Sequence, residues 1–315
     1  MIQIKKYFTE ADRKALYDTL ANRKQDGKPL LVHLIQQGNK HTFNSSLYGS
    51  DVIKDKLLDF FHGKCGYCED FMGNRRIKGK PDWDWEIEHY RPKANVLEDP
   101  LHGGYYWLAY ECTNFLIVCS ICNGFRRKGS KFPIATGAIR LTGVHFIEND
   151  NLKTEVCSIL NPIFETEEPL LINPVIDKPK DFIEFFPDGT VKGKNERGEK
   201  SIEVYGLDRQ TLSIMRKGIV DNIKKSIALV LEIAIESGHS VERAIKIAIN
   251  RHINELVIET ESPKTRFIAF RYAILNHFDS FIITNENGIG HNTKPFILPK
   301  REILLSVYWE IRNRR

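Results

Sequence analysis

Four of the six cysteines in this chain form two matched pairs, Cys65-x-x-Cys68 and Cys119-x-x-Cys122. Each pair can present two thiolates about one turn apart, and two pairs complete the tetrahedral sulfur shell that a structural Zn²⁺ site requires. A redox-active Cys-x-x-Cys motif needs only one pair, and buried structural cysteines need no regular spacing. The spacing therefore predicts a zinc site that supplies folding free energy to the surrounding segment.

Between the cysteine pairs, residues 83–89 alternate bulky and acidic side chains and end on Glu88 and His89, shortly before Pro92. This alternation predicts a strand. A histidine flanked by carboxylates can act as a general base beside a hard metal ion, because imidazole accepts a proton near neutral pH and Mg²⁺ prefers oxygen ligands. Strict alternation would place Glu88 and His89 on opposite faces, so Glu86 is the alternative to Glu88 as a metal ligand.

Two basic segments flank this candidate site. Residues 73–80 form a glycine-punctuated basic stretch, which we predict to be a loop, and Arg126, Arg127 and Lys128 follow Asn123 on what we predict to be the opening of a helix. Charge runs are often only solvated surface. Their position on both sides of the candidate metal site favours contacts with the phosphates of a nucleic acid.

These features together resemble an HNH endonuclease, and more narrowly the HNH effector nucleases of the Septu and retron antiphage systems. The similarity extends over most of the chain. Its residues are Cys65-x-x-Cys68, Glu88-His89-Tyr90-Arg91-Pro92-Lys93, Tyr106-Trp107-Leu108-Ala109-Tyr110, Asn114, Cys119-x-x-Cys122-Asn123, Leu171-Ile172-Asn173-Pro174 and Tyr205-Gly206-Leu207-Asp208-Arg209.

The resemblance implies a ββα-metal finger, in which two strands and a helix hold one divalent ion. It makes His89 the general base, Glu88 a ligand of the catalytic metal, and Asn114 the central asparagine that steadies the loop and the base. Asn123 takes a position where many relatives have histidine, and its amide oxygen favours Mg²⁺ or Mn²⁺ over Zn²⁺. The candidate contacts to the phosphodiester are Arg91, Lys93, Arg126, Arg127 and Lys128.

The same resemblance implies an effector that acts with an ABC-type ATPase and, in retron versions, also with a reverse transcriptase and its noncoding RNA. The chain carries no Walker motif, so ATP hydrolysis would have to come from the partner. DNA is the first-choice substrate. The alternatives are an RNase acting, for example, on tRNA, a non-catalytic zinc-finger adaptor, and a free-standing restriction or homing nuclease.

The composition fits a globular protein that acts on an acidic polymer. The 315 residues carry a formal net charge of +5, with 42% apolar and 28% charged residues. The N-terminus lacks the apolar run of a signal peptide, and no window is apolar enough to span a membrane, so we expect a cytoplasmic protein whose reduced thiols bind metal. Cys112 and Cys157 are expected to be small buried hydrophobic residues.

We predict an α+β fold with four segments: an N-terminal helical arm (1–62), the zinc-stapled HNH core (63–135), an irregular part with a small β element (136–210) and a helical domain (211–315). Thr9 is predicted to cap the first helix. Ser240 and the pair Ser262-Pro263 are predicted to begin later helices. The aromatic run 105–110 is expected to pack in the core rather than to stack on bases.

Overall fold

The computed structural model describes residues 1–72, 74–77, 80–83, 85–124, 126–149, 151–284 and 301–313. For residues 74–77, 80–83, 301, 312 and 313 it describes only the backbone. The chain divides into two compact units, one of residues 1–182 with 193–207 and one of residues 183–192 with 208–315. The fold is a helix-rich α+β arrangement with small two-stranded sheets, in agreement with the predicted class. The predicted division into four segments stays a prediction.

The first unit contains six helices and eight strands among its described residues. The helices are α1 (Glu10–Ala21), α2 (Leu30–Gln37), α3 (Ser45–Tyr48), α4 (Asp51–Phe61), α5 (Ser120–Asn123) and α6 (Glu196–Tyr205). The strands are β1 (Lys24–Gln25), β2 (Lys28–Pro29), β3 (Asn74–Ile77), β4 (Lys80–Trp83), β5 (Trp85–His89), β6 (Phe115–Cys119), β7 (Ile147–Glu148) and β8 (Asn151–Leu152).

The N-terminal segment is mainly helical, as predicted, but strands β1 and β2 interrupt it between α1 and α2. Thr9 and Asp12 form a reciprocal capping box at the start of α1, and α4 ends at His62, whose left-handed backbone leads into the first cysteine pair. Helices α1, α2 and α3 pack on a buried cluster to which the aromatic run contributes Ala109 and Tyr110. The prediction that this run belongs to the core is confirmed there.

A two-stranded antiparallel hairpin, β5 with β6, lies at the centre of the first unit. Its register pairs Trp85 with Cys119 at one end and His89 with Phe115 at the other. All of β6 except its last residue is buried, as the apolar run predicts. The hairpin therefore carries the second cysteine pair at one end and the candidate base at the other.

The helix that follows the hairpin is shorter than expected. α5 ends at Asn123 after four residues, and the described residues from 126 to 128 lie in a turn, where the amide of Lys128 donates to the carbonyl of Cys122 at 3.2 Å. The prediction that the basic cluster opens the finger helix was wrong. Gly124 follows directly at the C-cap, a position where glycine commonly ends helices.

The prediction of a basic loop at residues 73–80 was also wrong. The backbone there forms two antiparallel strands, β3 and β4, with Asn74 opposite Trp83 and Ile77 opposite Lys80. The phosphate contacts predicted for this stretch involve side chains outside the described part of the structure.

Leu171, Ile172 and Tyr205, from the two later motifs, form contacts with residues next to the hairpin and within the first cysteine pair. Tyr205 stacks face to face on Tyr67, which lies between the first two cysteines, with ring centroids 3.7 Å apart. The hydroxyl of Tyr205 donates to the carbonyl of Ile172 at 2.9 Å, and the hydroxyl of Tyr90 donates to that of Leu171 at 2.6 Å. These three residues therefore have a structural role in the first unit.

The second unit is mainly helical. Its strands β9 (Ile183–Phe185) and β10 (Val191–Gly193) form the predicted hairpin, with only the last residue of β10 assigned to the first unit. Its helices are α7 (Gln210–Glu236), α8 (Val241–Glu261), α9 (Ile268–Asn276) and α10 (Arg301–Asn313), with a π-helical turn at Asp279–Thr284. Ser240 caps α8 through the amide of Arg243. The predicted start at Ser262-Pro263 was wrong, because α9 begins at Ile268 after a turn.

Within the described ranges, no helix combines the length and the apolar character that crossing a bilayer requires.

Candidate metal centre and adjoining cleft

The four paired cysteines converge on one point. Their sulfur atoms all lie within 4.8 Å of one another, and Sγ of Cys68 is 3.9 Å from Sγ of Cys119. A tetrahedral shell with Zn–S bonds of about 2.3 Å separates its sulfurs by about 3.8 Å. The cluster can therefore bind a metal such as zinc, and the arrangement agrees with the predicted site.

Local backbone geometry brings the two pairs together. The first pair lies in a tight turn, in which the amide of Cys65 donates to Asp70 and Glu69 has a left-handed backbone (φ 62°). The amide of Gly66 donates to the carbonyl of Ile117 at 2.9 Å, which attaches this turn to β6. The second pair spans the junction of β6 and α5. Cys112 and Cys157 lie outside the cluster and are buried, as expected.

A cleft of about 970 Å³ lies alongside the hairpin. The cleft is lined by β5 and Asn123, by the N-terminal segment 44–54 from Ser45 in α3 to Lys54 in α4, and by Pro92 and Lys93. Glu86, Glu88, His89, Lys93 and Asn123, all predicted from the sequence, line this one cleft.

His89 is held with one ring nitrogen committed to the protein. Nε2 lies 3.0 Å from the carbonyl oxygen of Ala109, and because a carbonyl can only accept, Nε2 carries the proton. In the neutral ring Nδ1 then carries the lone pair, 3.5 Å from the ammonium of Lys93. Burial, together with the nearby charges of Lys93 and Lys128, lowers the pKa of His89 well below its ordinary value. The ring is thus an uncharged proton acceptor near neutral pH.

Asn114 fixes the backbone that follows His89. Its Oδ1 accepts from the amide of Arg91 at 2.9 Å, and its Nδ2 donates to the carbonyl of the same residue at 3.0 Å. Its own carbonyl accepts from the amide of Tyr90 at 2.9 Å. The side chain is fully buried. Asn114 therefore ties the end of β5 to the start of β6 without entering the cleft.

Glu88 is paired with Lys128. The ammonium of Lys128 lies 2.8 Å from Oε1 of Glu88, and the side chains are 0% and 6% exposed. Burial raises the pKa of Glu88, and the attraction of Lys128 opposes that rise. The turn after α5 brings the ammonium of Lys128 against the carboxylate of Glu88. Lys128 is therefore a buried counter-ion of Glu88 and is not exposed to solvent.

Asn123 is oriented by Glu86. Nδ2 of Asn123 donates to Oε2 of Glu86 at 2.6 Å, and the acceptor-only carboxylate fixes which end of the amide faces it. Oδ1 of Asn123 is buried and has no hydrogen-bond partner among the described residues. Amide and carboxylate oxygens are the ligand types that a hard divalent cation prefers, but Glu88 is paired with Lys128 and Glu86 with Nδ2 of Asn123. The oxygen-liganded Mg²⁺ or Mn²⁺ site therefore stays a prediction.

Three of the residues predicted to contact phosphate, Arg91, Arg126 and Arg127, do not line the cleft. Arg91 is 1% exposed, and its Nε donates to Glu167 at 2.7 Å, so it belongs to the core. The guanidinium of Arg127 lies against Gly206, where an added Cβ would be 2.5 Å from Cζ. Arg126 is exposed. Of the predicted phosphate contacts, Lys93 is the one placed on the cleft wall.

The cleft also includes residues that sequence reasoning missed. Tyr48 lies in the N-terminal segment 44–54, with its ring 4.9 Å from that of His89. The signal that could have indicated it is local: serines and Gly49 interrupt the helical pattern between α2 and α4, and irregular polar segments within a helical stretch often carry function.

The site thus combines a four-cysteine cluster that can bind a metal, at one end of the hairpin, with a cleft along β5 that contains His89. In sequence, the chain is similar to "Septu protein PtuB" of Bacillus mycoides, with 34% identity over 189 residues that make up 58% of this chain and 55% of the relative. It is also similar to "Septu protein PtuB" of Bacillus thuringiensis, at 25% identity over 82% of this chain and 79% of that protein.

A third relative is "Septu protein PtuA" of Bacillus mycoides, which is 28% identical over 54% of this chain and 21% of its own length. The chain thus spans about half of the first of these relatives and about a fifth of the PtuA protein. No protein-family model matches the sequence, and no solved structure matches it.

Proposed function

We propose that this chain is a metal-dependent HNH endonuclease that serves as the effector of an antiphage defence system, with DNA as its first-choice substrate. The observation that carries the proposal is the environment of His89: its Nε2 is hydrogen-bonded to Ala109, which leaves the lone pair on Nδ1, and the residue lines a cleft shared with Glu88 and Asn123. The four-cysteine cluster at the far end of the hairpin supplies the metal staple.

In this proposal His89 is the general base. Nδ1 takes a proton from a water molecule, and the resulting hydroxide attacks the phosphorus while the 3′ oxygen leaves. The carbonyl of Ala109 keeps the ring in the tautomer that this step needs, and stabilises the positive charge that the ring acquires. General-base catalysis of this kind contributes about 10²–10⁴ in rate.

Glu88 and Oδ1 of Asn123 would hold the catalytic Mg²⁺ or Mn²⁺ ion, and Glu86 orients the asparagine. When bound, the ion would stabilise charge on the phosphate and on the leaving oxygen. Asn114 positions the base through the backbone of Arg91. Lys93, which lines the cleft, would contact the phosphodiester, and exposed Arg126 would contact a longer substrate.

The similarity to PtuB proteins supports a role in a Septu system. We propose as partner the second protein of that system, which the resemblance makes an ABC-type ATPase. A retron association would add a reverse transcriptase and its noncoding RNA. The cleft residues grip a phosphate and a metal ion, which DNA and RNA both satisfy, so a ribonuclease of the same system is the second candidate.

The test is to assay plasmid DNA, single-stranded oligonucleotides and total tRNA side by side with Mg²⁺ or Mn²⁺, with and without the ATPase partner. We expect cleavage of DNA that requires the added metal. Cleavage of tRNA alone would transfer the assignment to the ribonuclease. A protein that holds zinc, binds no second metal even with excess Mn²⁺ and cleaves none of these would instead be an adaptor.

A further inference from the structure

We infer that Tyr48 is a positioning residue of the proposed nuclease. The N-terminal segment 44–54 then has a functional role in the substrate cleft as well as a structural role in packing. The inference rests on the proposed function for its chemistry. Its basis is that one aromatic ring, supplied by a different chain segment, contacts both His89 and Lys93 in the cleft.

The first contact is with the base. The rings of Tyr48 and His89 meet edge to face, with centroids 4.9 Å apart and an interplanar angle of 83°. Phe115 contacts the histidine ring from another side, with centroids 5.0 Å apart. The Nε2 hydrogen bond to Ala109 and the contacts with the two aromatic neighbours together restrict rotation of the ring. They therefore determine where Nδ1 points.

The second contact is with the lysine. The ammonium of Lys93 lies 5.0 Å from the centroid of the Tyr48 ring and 5.8 Å from that of Phe43. Burial lowers the pKa of Lys93, and the negative charge of Glu88 opposes this lowering. A half-buried ammonium that contacts two aromatic rings can attract an incoming anion. Beside a base that activates the attacking water, that anion is the scissile phosphate.

The N-terminal segment is itself built to hold Tyr48 in place. Tyr48 and Leu47 pack on the buried cluster that contains Leu34 and Tyr110. The hydroxyl of Tyr110 accepts from the amide of Asn44 at 3.1 Å, and Asn44 in turn caps α3. Immediately after Tyr48 the chain turns so tightly that a Cβ on Gly49 would lie 2.6 Å from the carbonyl oxygen of Ser45. The ring therefore enters the cleft from an anchored turn.

The experiment compares Tyr48→Leu, Tyr48→Phe and Tyr106→Leu in the full chain. Tyr48→Leu removes the ring, and Tyr48→Phe keeps the ring but not the hydroxyl. Tyr106→Leu is a matched control, because this half-buried tyrosine packs on the same cluster without lining the cleft. We measure kcat and KM for the cleaved substrate, binding of a short oligonucleotide without added divalent metal, and the NMR shifts of the His89 ring protons.

For Tyr48→Leu we expect kcat to fall about tenfold or more, since small misplacements of reacting groups cost up to about 10²-fold, and oligonucleotide binding to weaken severalfold. The His89 ring protons should shift as the ring current disappears. Tyr48→Phe and Tyr106→Leu should keep all three properties. Parental behaviour of Tyr48→Leu, or equal losses in Tyr106→Leu or Tyr48→Phe, would overturn the inference.

The NMR and binding readouts do not depend on turnover. If the parent protein cleaves no nucleic acid, the proposed function fails while the positioning role stands or falls on the His89 shifts and on oligonucleotide binding. Unchanged His89 shifts in Tyr48→Leu would reject the positioning role even in an active nuclease.

Discussion

Lys128 and Glu88 form a buried ion pair on the cleft side of the hairpin, with Nζ and Oε1 2.8 Å apart. Because both side chains are shielded from water, removing one partner leaves an uncompensated charge. Such losses typically cost about 3–5 kcal/mol of folding free energy. The pair therefore links the stability of the first unit to the chemistry of the cleft.

We predict that Lys128→Met lowers the free energy of unfolding by an amount in this range, and that adding Glu88→Gln recovers most of it. Urea denaturation of the two single variants and the double variant measures the coupling. We also expect Mn²⁺ to raise the unfolding midpoint of Lys128→Met more than that of the parent, since the freed carboxylate gains a divalent partner. Additive effects of the two substitutions would show that the pair is not coupled.

His89→Ala should lower the cleavage rate by about 10²–10⁴ while the protein folds and keeps its zinc. The reason is that the Nδ1 lone pair is the proton acceptor in the proposed step. His145→Ala is the control, since this exposed histidine lies outside the cleft. Single-turnover cleavage and zinc analysis on the same samples make the comparison, and parental cleavage by a zinc-loaded His89→Ala protein would remove His89 from this role.

The cysteine cluster is tested by metal content. The parent should hold a single zinc ion per chain, and Cys119→Ser should lose most of it and unfold at a lower denaturant concentration. Cys157→Ser is the matched control, because Cys157 is buried outside the cluster and its thiol donates to the carbonyl of Lys153, a role a hydroxyl can also fill. Equal zinc in all three proteins would contradict the assignment.

The two carboxylates on β5 should differ in their effect on the second metal. Glu88→Gln is expected to weaken Mn²⁺ binding more than tenfold, because Glu88 is the proposed ligand. Glu86→Gln should act less strongly, through the orientation of Asn123. Titration followed by electron paramagnetic resonance distinguishes the two. The reverse order would make Glu86 the ligand, the alternative that strand alternation left open.

A buried histidine pair in the N-terminal part predicts acid sensitivity. Nδ1 of His33 and Nδ1 of His41 lie 2.9 Å apart, and the outer nitrogens face Asp26 and Tyr110. Burial, then the neighbouring His33, lowers the pKa of His41 to about 4, with Asp26 opposing. A lowered pKa means that the unfolded chain, whose histidines titrate near about 6.5, binds protons more readily than the folded one.

The neutral His41 therefore contributes its full stabilising free energy above the pKa of the unfolded chain. This contribution is lost as the pH falls from about 6.5 towards 4. We expect the loss to be on the order of 2–3 kcal/mol. His41→Gln should flatten the pH dependence over this window, whereas His239→Gln, at an exposed position, should leave it unchanged. Unfolding curves between pH 7.5 and 4.5 provide the measurement, and an unaltered slope in His41→Gln would contradict the prediction.

The sequence predicted those parts of the site that depend on local chemistry. Cys-x-x-Cys spacing, the apolar run of β6 and the Thr9 cap each depend on a few neighbouring residues, and the structure contains all three. The pairing of Lys128 with Glu88 and the approach of Tyr48 to His89 join residues about 40 positions apart. No periodicity encodes such contacts, because they arise only when separate elements pack together.

In the central hairpin, Trp85 pairs with Cys119 and His89 pairs with Phe115. The same two strands therefore connect the cysteine cluster to His89. A newly synthesised chain that has not yet captured zinc would lack a fixed hairpin, and with it the alignment of the base. Under the proposed function, a nascent effector is therefore harmless to its host's own nucleic acid until metal loading completes its maturation.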